Sequence, residues 1–175
     1  MNRSGSLHFD TVKKPGSQLG FLEDWVKLHW FGVPGLRWPG VWSTLLQKDR
    51  RPEVLVIHAG GNDMRLRSQR ELVLEMKLDL DKIRRLFPDL VLVWSEMVPR
   101  MVWRYARNGE KMDRSRGKVL ASFVRKCEGI VVRHTILEGR MPAYYREDRV
   151  HLSNVALEEG IEQALGHLSG RSCHT

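Results

Sequence analysis

An α/β fold built on a parallel sheet is what this 175-residue sequence predicts, and three observations predict it. Apolar runs at Val54 to Ile57, Leu90 to Trp94 and Ile130 to Arg133 are rich in β-branched residues, as strands buried on both faces are. Helical periodicity fills the intervals over 68–87 and 110–127, and strands alternating with helices imply crossover connections with helices on both faces. The first run stops at Gly60-Gly61-Asn62-Asp63, which puts Asn62 at the carboxyl end of a central strand, where open α/β sheets place their sites. The plainer reading of the same four residues is a βα turn, with Asn and Asp as turn formers and helix cap.

The elements follow in order. Residues 1–21 are the least structured part: Lys13 to Ser17 contains Pro15-Gly16, a poor place for a helix, and only Leu7 to Phe9 hints at a strand. Trp25 to Phe31 is rich in aromatic and β-branched residues and reads as a strand, ended by the turn Gly32-Val33-Pro34-Gly35. A short helix or irregular segment follows over 36–46, with Trp38, Val41, Trp42, Leu45 and Leu46 as its buried side. After the 54–58 strand, Leu72, Val73, Met76, Leu80, Ile83 and Phe87 recur at three- and four-residue steps, so 68–87 is a helix with Ser68 as its cap. The 90–94 strand leads into the loop Ser95 to Arg100. One helix spans 110–127 with Val119, Leu120, Phe123 and Val124 inward, and Gly129 stops it before the 130–133 strand. An irregular loop over 137–150 precedes a last helix over 153–168.

Composition narrows the function. Apolar residues make up 42%, too many for a disordered chain, and no run is long enough to span a membrane. The N-terminus lacks the apolar core of a signal peptide. Cys127 and Cys173 form neither a metal pattern nor a disulfide framework. The expectation is an intracellular, cytoplasmic protein. The net charge of +8 favours acidic partners such as nucleic acid or anionic membrane surfaces, although a soluble protein with solvated basic faces has the same signature.

Chemistry gathers at predicted strand tips and before the last helix: Gly35, the 60–63 turn, Ser95-Glu96, and Asp148-Arg149-Val150-His151 followed by Leu152-Ser153. A carboxylate three residues before an imidazole can fix its tautomer and leave the second nitrogen as a base. Asn62 and the Gly35 backbone N–H can donate to a developing oxyanion. Taken singly, Asp148 reads as a loop or capping residue and His151 as a polar side chain beside a helix start.

Together these blocks resemble the SGNH/GDSL hydrolase superfamily. Gly60-Gly61-Asn62-Asp63 is similar to its Gly-Xaa-Asn-Asp block, Asp148 to His151 to its Asp-Xaa-Xaa-His block, and Gly32 to Trp38 to its glycine block. The wording of Val91 to Arg100 and Val131 to His134 looks closest to vertebrate SGNH-type esterase-domain proteins, some of which are associated with retrotransposon open reading frames. The resemblance implies a flavodoxin-like three-layer α/β/α sandwich. It also implies an irregular segment over 1–20, one hydrolase-type domain over 21–170 and a tail over 171–175. It makes Asp148 and His151 the triad acid and base and Gly35 and Asn62 the oxyanion donors, with Gly60, Gly61 and Asp63 supporting the loop. The implied chemistry is carboxylic- or acetyl-ester hydrolysis through an acyl-serine, without metal or organic cofactor.

One block departs from the family. Its nucleophile serine follows a first apolar strand, and here no apolar strand leads into a serine; Ser6, in Gly5-Ser6, is the nearest candidate. The first strand is therefore expected to be missing or degenerate. Three readings stay open at this point: an active esterase on a small ester, a truncated or degenerate hydrolase-like binding module without a nucleophile, and a basic nucleic-acid-associated domain of mobile-element origin.

Overall fold

The structure, a computed structural model, describes residues 27–46, 51–64, 66–103, 106–116 and 120–156. The chain divides into two compact units, one formed by residues 36–133 and the other by the segments on either side. The first is a layered α/β unit. Its strands β1 (Val54–Ile57), β2 (Val91–Ser95) and β3 (Ile130–Val132) run parallel in the order β1-β2-β3. The register pairs Val54 with Val91 and Ile57 with Trp94, and Val93 with Ile130 and Ser95 with Val132.

Helix α1 (Trp38–Leu46) precedes β1, and α2 (Gln69–Leu86), then α3 (Gly109–Arg116) with α4 (Ala121–Lys126), supply the two connections. Helix α2 forms where periodicity and capping agree. Leu72, Met76, Leu80 and Ile83 are buried on one stripe, and Ser68 and Glu71 close a reciprocal capping box that satisfies two otherwise orphaned N–H groups. The core places that stripe with Ile57, Leu92 and Trp94 from one sheet face, Trp38 from α1, and Leu120 and Val124 at α4. Trp38 and Trp94 meet edge to face with ring centres 6.4 Å apart. The Trp38 indole N–H donates to Asp79 at 3.0 Å, so a buried donor and a buried carboxylate satisfy each other.

Five expectations need correction. The run at β1 is not buried on both faces: Val54 and Val56 are 49% and 54% exposed, while Ile57 on the opposite face is buried. Among the described strands β1 lies at the sheet edge, so Asn62 follows an edge strand there rather than a central one. The strand expected over 25–31 is not among the three strands of the sheet; residues 25 and 26 lie outside the described residues, and 27–31 have no helix or strand assignment. The single helix expected over 110–127 is two. Leu120 sits at φ 63°, a left-handed conformation through which a right-handed helix cannot run; Phe123 and Val124 lie on the second piece, Leu120 precedes it as its cap, and Val119 lies outside the described residues. Leu46, expected on the buried side of α1, is exposed.

The flanking unit shows a compact loop where an irregular one was expected. Short 3-10 turns at Thr135–Gly139 and Pro142–Tyr144 bury Leu137 and Tyr144, and an antiparallel bridge joins Tyr145 to Leu152. Residues 154–156 are helical, and the remainder of the expected last helix lies outside the described residues.

Candidate active site

Within the flanking unit, the loop from Tyr145 to Leu152 is closed on itself before it presents any chemistry. Besides the bridge, the Arg146 N–H donates to the His151 carbonyl and the Arg149 N–H to the Arg146 carbonyl, both at 2.9 Å. The Ser153 N–H reaches back to the Tyr144 carbonyl at 2.9 Å. At the tip, one Asp148 carboxylate oxygen accepts the N–H groups of Val150 and His151, each at 3.0 Å, and Arg149 takes φ 56° to let the chain fold round the carboxylate. The other carboxylate oxygen lies 2.5 Å from His151 Nδ1.

The backbone N–H of His151, then that of Val150, then the His151 ring together hold the Asp148 carboxyl well below the usual carboxylate range. An anion fixed against Nδ1 makes it the protonated nitrogen of the neutral ring. Nε2 is then the ring nitrogen that carries the lone pair.

In the α/β unit, the loop leaving β1 is pinned by the two side chains that end its Gly-Gly-Asn-Asp run. Gly60 lies at φ 97°, a conformation that disfavours any side chain, and a Cβ there would stand 2.6 Å from Met76 Cε, which would have to shift. The Asp63 N–H donates to the Gly60 carbonyl at 3.0 Å. Asp63 is buried, and its carboxylate accepts the backbone N–H of Trp38 at 2.8 Å. It therefore caps the first turn of α1, one of the orphan donors every helix start presents, rather than the helix that follows it in sequence. Asn62 is exposed; its Nδ2 donates to the Leu36 carbonyl at 3.1 Å, and its Oδ1 accepts from an Arg100 guanidinium nitrogen at 3.3 Å.

The neighbouring strand tips hold further polar pairs. His58 Nδ1 and Ser95 Oγ lie 3.0 Å apart across β1 and β2, and Arg133 approaches the buried Glu96 at 3.5 Å. Arg116, buried with Asp113, donates to the Met97 carbonyl at 2.8 Å and braces the segment after β2. The His58–Ser95 pair was missed from sequence, although aligning the two apolar runs tip to tip brings positions 58 and 95 to adjacent strands. The Asp63–Trp38 and Asn62–Arg100 contacts span 25 and 38 residues and leave no local signal.

Of the residues singled out from sequence, Asp148 and His151 are in direct contact. Gly60, Gly61, Asn62 and Asp63 form one pinned loop. Gly35 occupies a turn at φ 70° with open space where a Cβ would stand, so its conformation rather than crowding calls for glycine. Ser6 lies outside the described residues. Among the described residues, no group of three or more His, Cys, Asp or Glu side chains is placed to hold a metal ion.

No protein-family model matches the chain, and no curated protein matches it by sequence. Solved structures do match in three dimensions. A family 3 carbohydrate esterase from Clostridium thermocellum superposes with a TM-score of 0.61 at 14% identity, over 80% of this chain and 68% of that one. A GDSL-like lipase from Bacteroides thetaiotaomicron gives 0.58 at 14% identity, over 79% and 72%. A protein of the G-D-S-L family from Desulfitobacterium hafniense gives 0.62 at 12% identity, over 93% and 94%. The parallel sheet with its crossover helices and these superpositions together identify the fold: the chain is similar in architecture to the SGNH/GDSL hydrolases and adopts their α/β fold.

Proposed function

We propose that the chain is an ester hydrolase of SGNH type, acting on carboxylic or acetyl esters. The observation that supports this most is the Asp148 carboxylate seated on His151 Nδ1 within a loop closed at both ends. In this reading His151 Nε2 takes the proton of a serine hydroxyl as its oxygen attacks the ester carbonyl carbon. The Asn62 amide and the Gly35 N–H donate to the oxyanion that forms. The ester C–O bond then breaks, the alcohol leaves with the proton from His151, and water repeats the sequence on the acyl-serine. The scheme calls on no cofactor.

Ser6 is the serine that the sequence offers for the attack, and labelling identifies it directly. A fluorophosphonate probe is expected to label one serine of the full chain, with labelling lost in His151→Ala; peptide mass mapping then names the position. A folded chain that takes no label, or takes it equally with and without His151, contradicts the proposal.

A further inference from the structure

We infer that Arg100 is the positioning residue that fixes the Asn62 side-chain amide in its donating orientation; this rests on the ester-hydrolase reading above. A primary amide has two ends of similar size, and only its partners decide which end points where. At Asn62 both partners are unambiguous. A guanidinium only donates, so Oδ1 must face Arg100; a backbone carbonyl only accepts, so Nδ2 must face Leu36. Flipping the amide would set N–H against N–H on one side and oxygen against oxygen on the other. With one Nδ2–H spent on Leu36, the second Nδ2–H has a defined direction, which an oxyanion donor requires.

Arg100 is itself held. Its guanidinium lies 5.0 Å from the centre of the buried Trp103 ring, a cation–π arrangement that restricts its plane. The segment that carries it is tied to α3 through Arg116 and the Met97 carbonyl. Gly61 completes the fit, because a Cβ there would come within 3.0 Å of an Arg100 guanidinium nitrogen. The loop after β1 and the segment after β2 thus meet through Arg100, which explains a glycine at 61 where conformation does not demand one.

The test uses the full 175-residue chain with asparagine labelled in nitrogen-15, and the Asn62 side-chain signal assigned by its disappearance in Asn62→Ala. In Arg100→Met, which keeps an aliphatic side chain but no donor, exchange of the Asn62 amide protons with water is expected to accelerate at least about tenfold. With an aryl acetate, kcat is expected to fall by about tenfold to a hundredfold with KM nearly unchanged, since the misplaced group acts on the transition state. Added guanidinium ion restores part of kcat in this variant. Gly61→Ala, which displaces Arg100 without removing it, is expected to show the same amide signature. Unchanged Asn62 exchange in either folded variant overturns the inference. A wild-type chain that hydrolyses no ester sinks the functional reading alone, and the exchange measurement still decides the role of Arg100.

Discussion

Asp63 gives the sharpest stability prediction, because two substitutions at one position separate the hydrogen bond from the charge. Asp63→Ala removes the acceptor of the Trp38 N–H, a buried pair at 2.8 Å, and leaves that donor without its partner at the start of α1. Leaving a buried donor unsatisfied costs about 1–3 kcal/mol. For a chain of this length that is about 2–12 °C in melting temperature. Asp63→Asn keeps an acceptor and removes the charge, so its loss is the smaller.

Burial raises the Asp63 carboxyl above its ordinary value of 3.8, opposed by the Trp38 N–H and then by Arg67 and Arg37. The folded chain therefore binds this proton more tightly than the unfolded chain. Between the ordinary and the raised value, its contribution to stability falls as pH rises. That segment of slope should vanish in Asp63→Asn. Thermal melts of the three proteins across the acid range read all of this. Asp63→Ala melting within about 1 °C of wild type, or Asp63→Asn melting below Asp63→Ala, would refute the reasoning.

Three further outcomes follow from the same geometry. Asp148→Asn keeps the shape of the loop but not the anion on His151 Nδ1; kcat for an aryl acetate should fall at least about a hundredfold, with a far smaller change in KM. Ser68→Ala breaks the capping box and should lower stability by about 1 kcal/mol in a denaturant titration, with the slope unchanged. Gly129→Ala places a Cβ 2.6 Å from Val124 Cγ1 and 3.0 Å from the Leu92 carbonyl, which should destabilise by about 1–3 kcal/mol in the same titration.

What the sequence made legible follows from how far apart the interacting residues lie. Helix α2 was readable because its apolar stripe, its cap and its Glu71 all fall within one helix length. The Asp148–His151 pair was readable for the same reason, since a spacing of three residues is a local fact. The position of β1 was not. Val54 to Ile57 would read the same in a central strand, and exposure of Val54 and Val56 depends on neighbours that composition does not name. The break between α3 and α4 left one trace, in that residues 109–116 hold little that is apolar while 119–124 hold four inward candidates. Asp63 was read as a local cap because the helix it caps precedes it by 25 residues. Side chains that bind across such distances are fixed by tertiary structure alone, and Arg100 on Asn62 is the second case.

The most direct test of the account is hydrolysis of a short-chain aryl acetate by the purified full chain beside His151→Ala and Ser6→Ala, with folding of each checked by circular dichroism. The account predicts turnover by the wild-type chain that His151→Ala abolishes, and loss in Ser6→Ala as well would name the nucleophile. A folded wild-type chain without turnover, or equal turnover in His151→Ala, would contradict it.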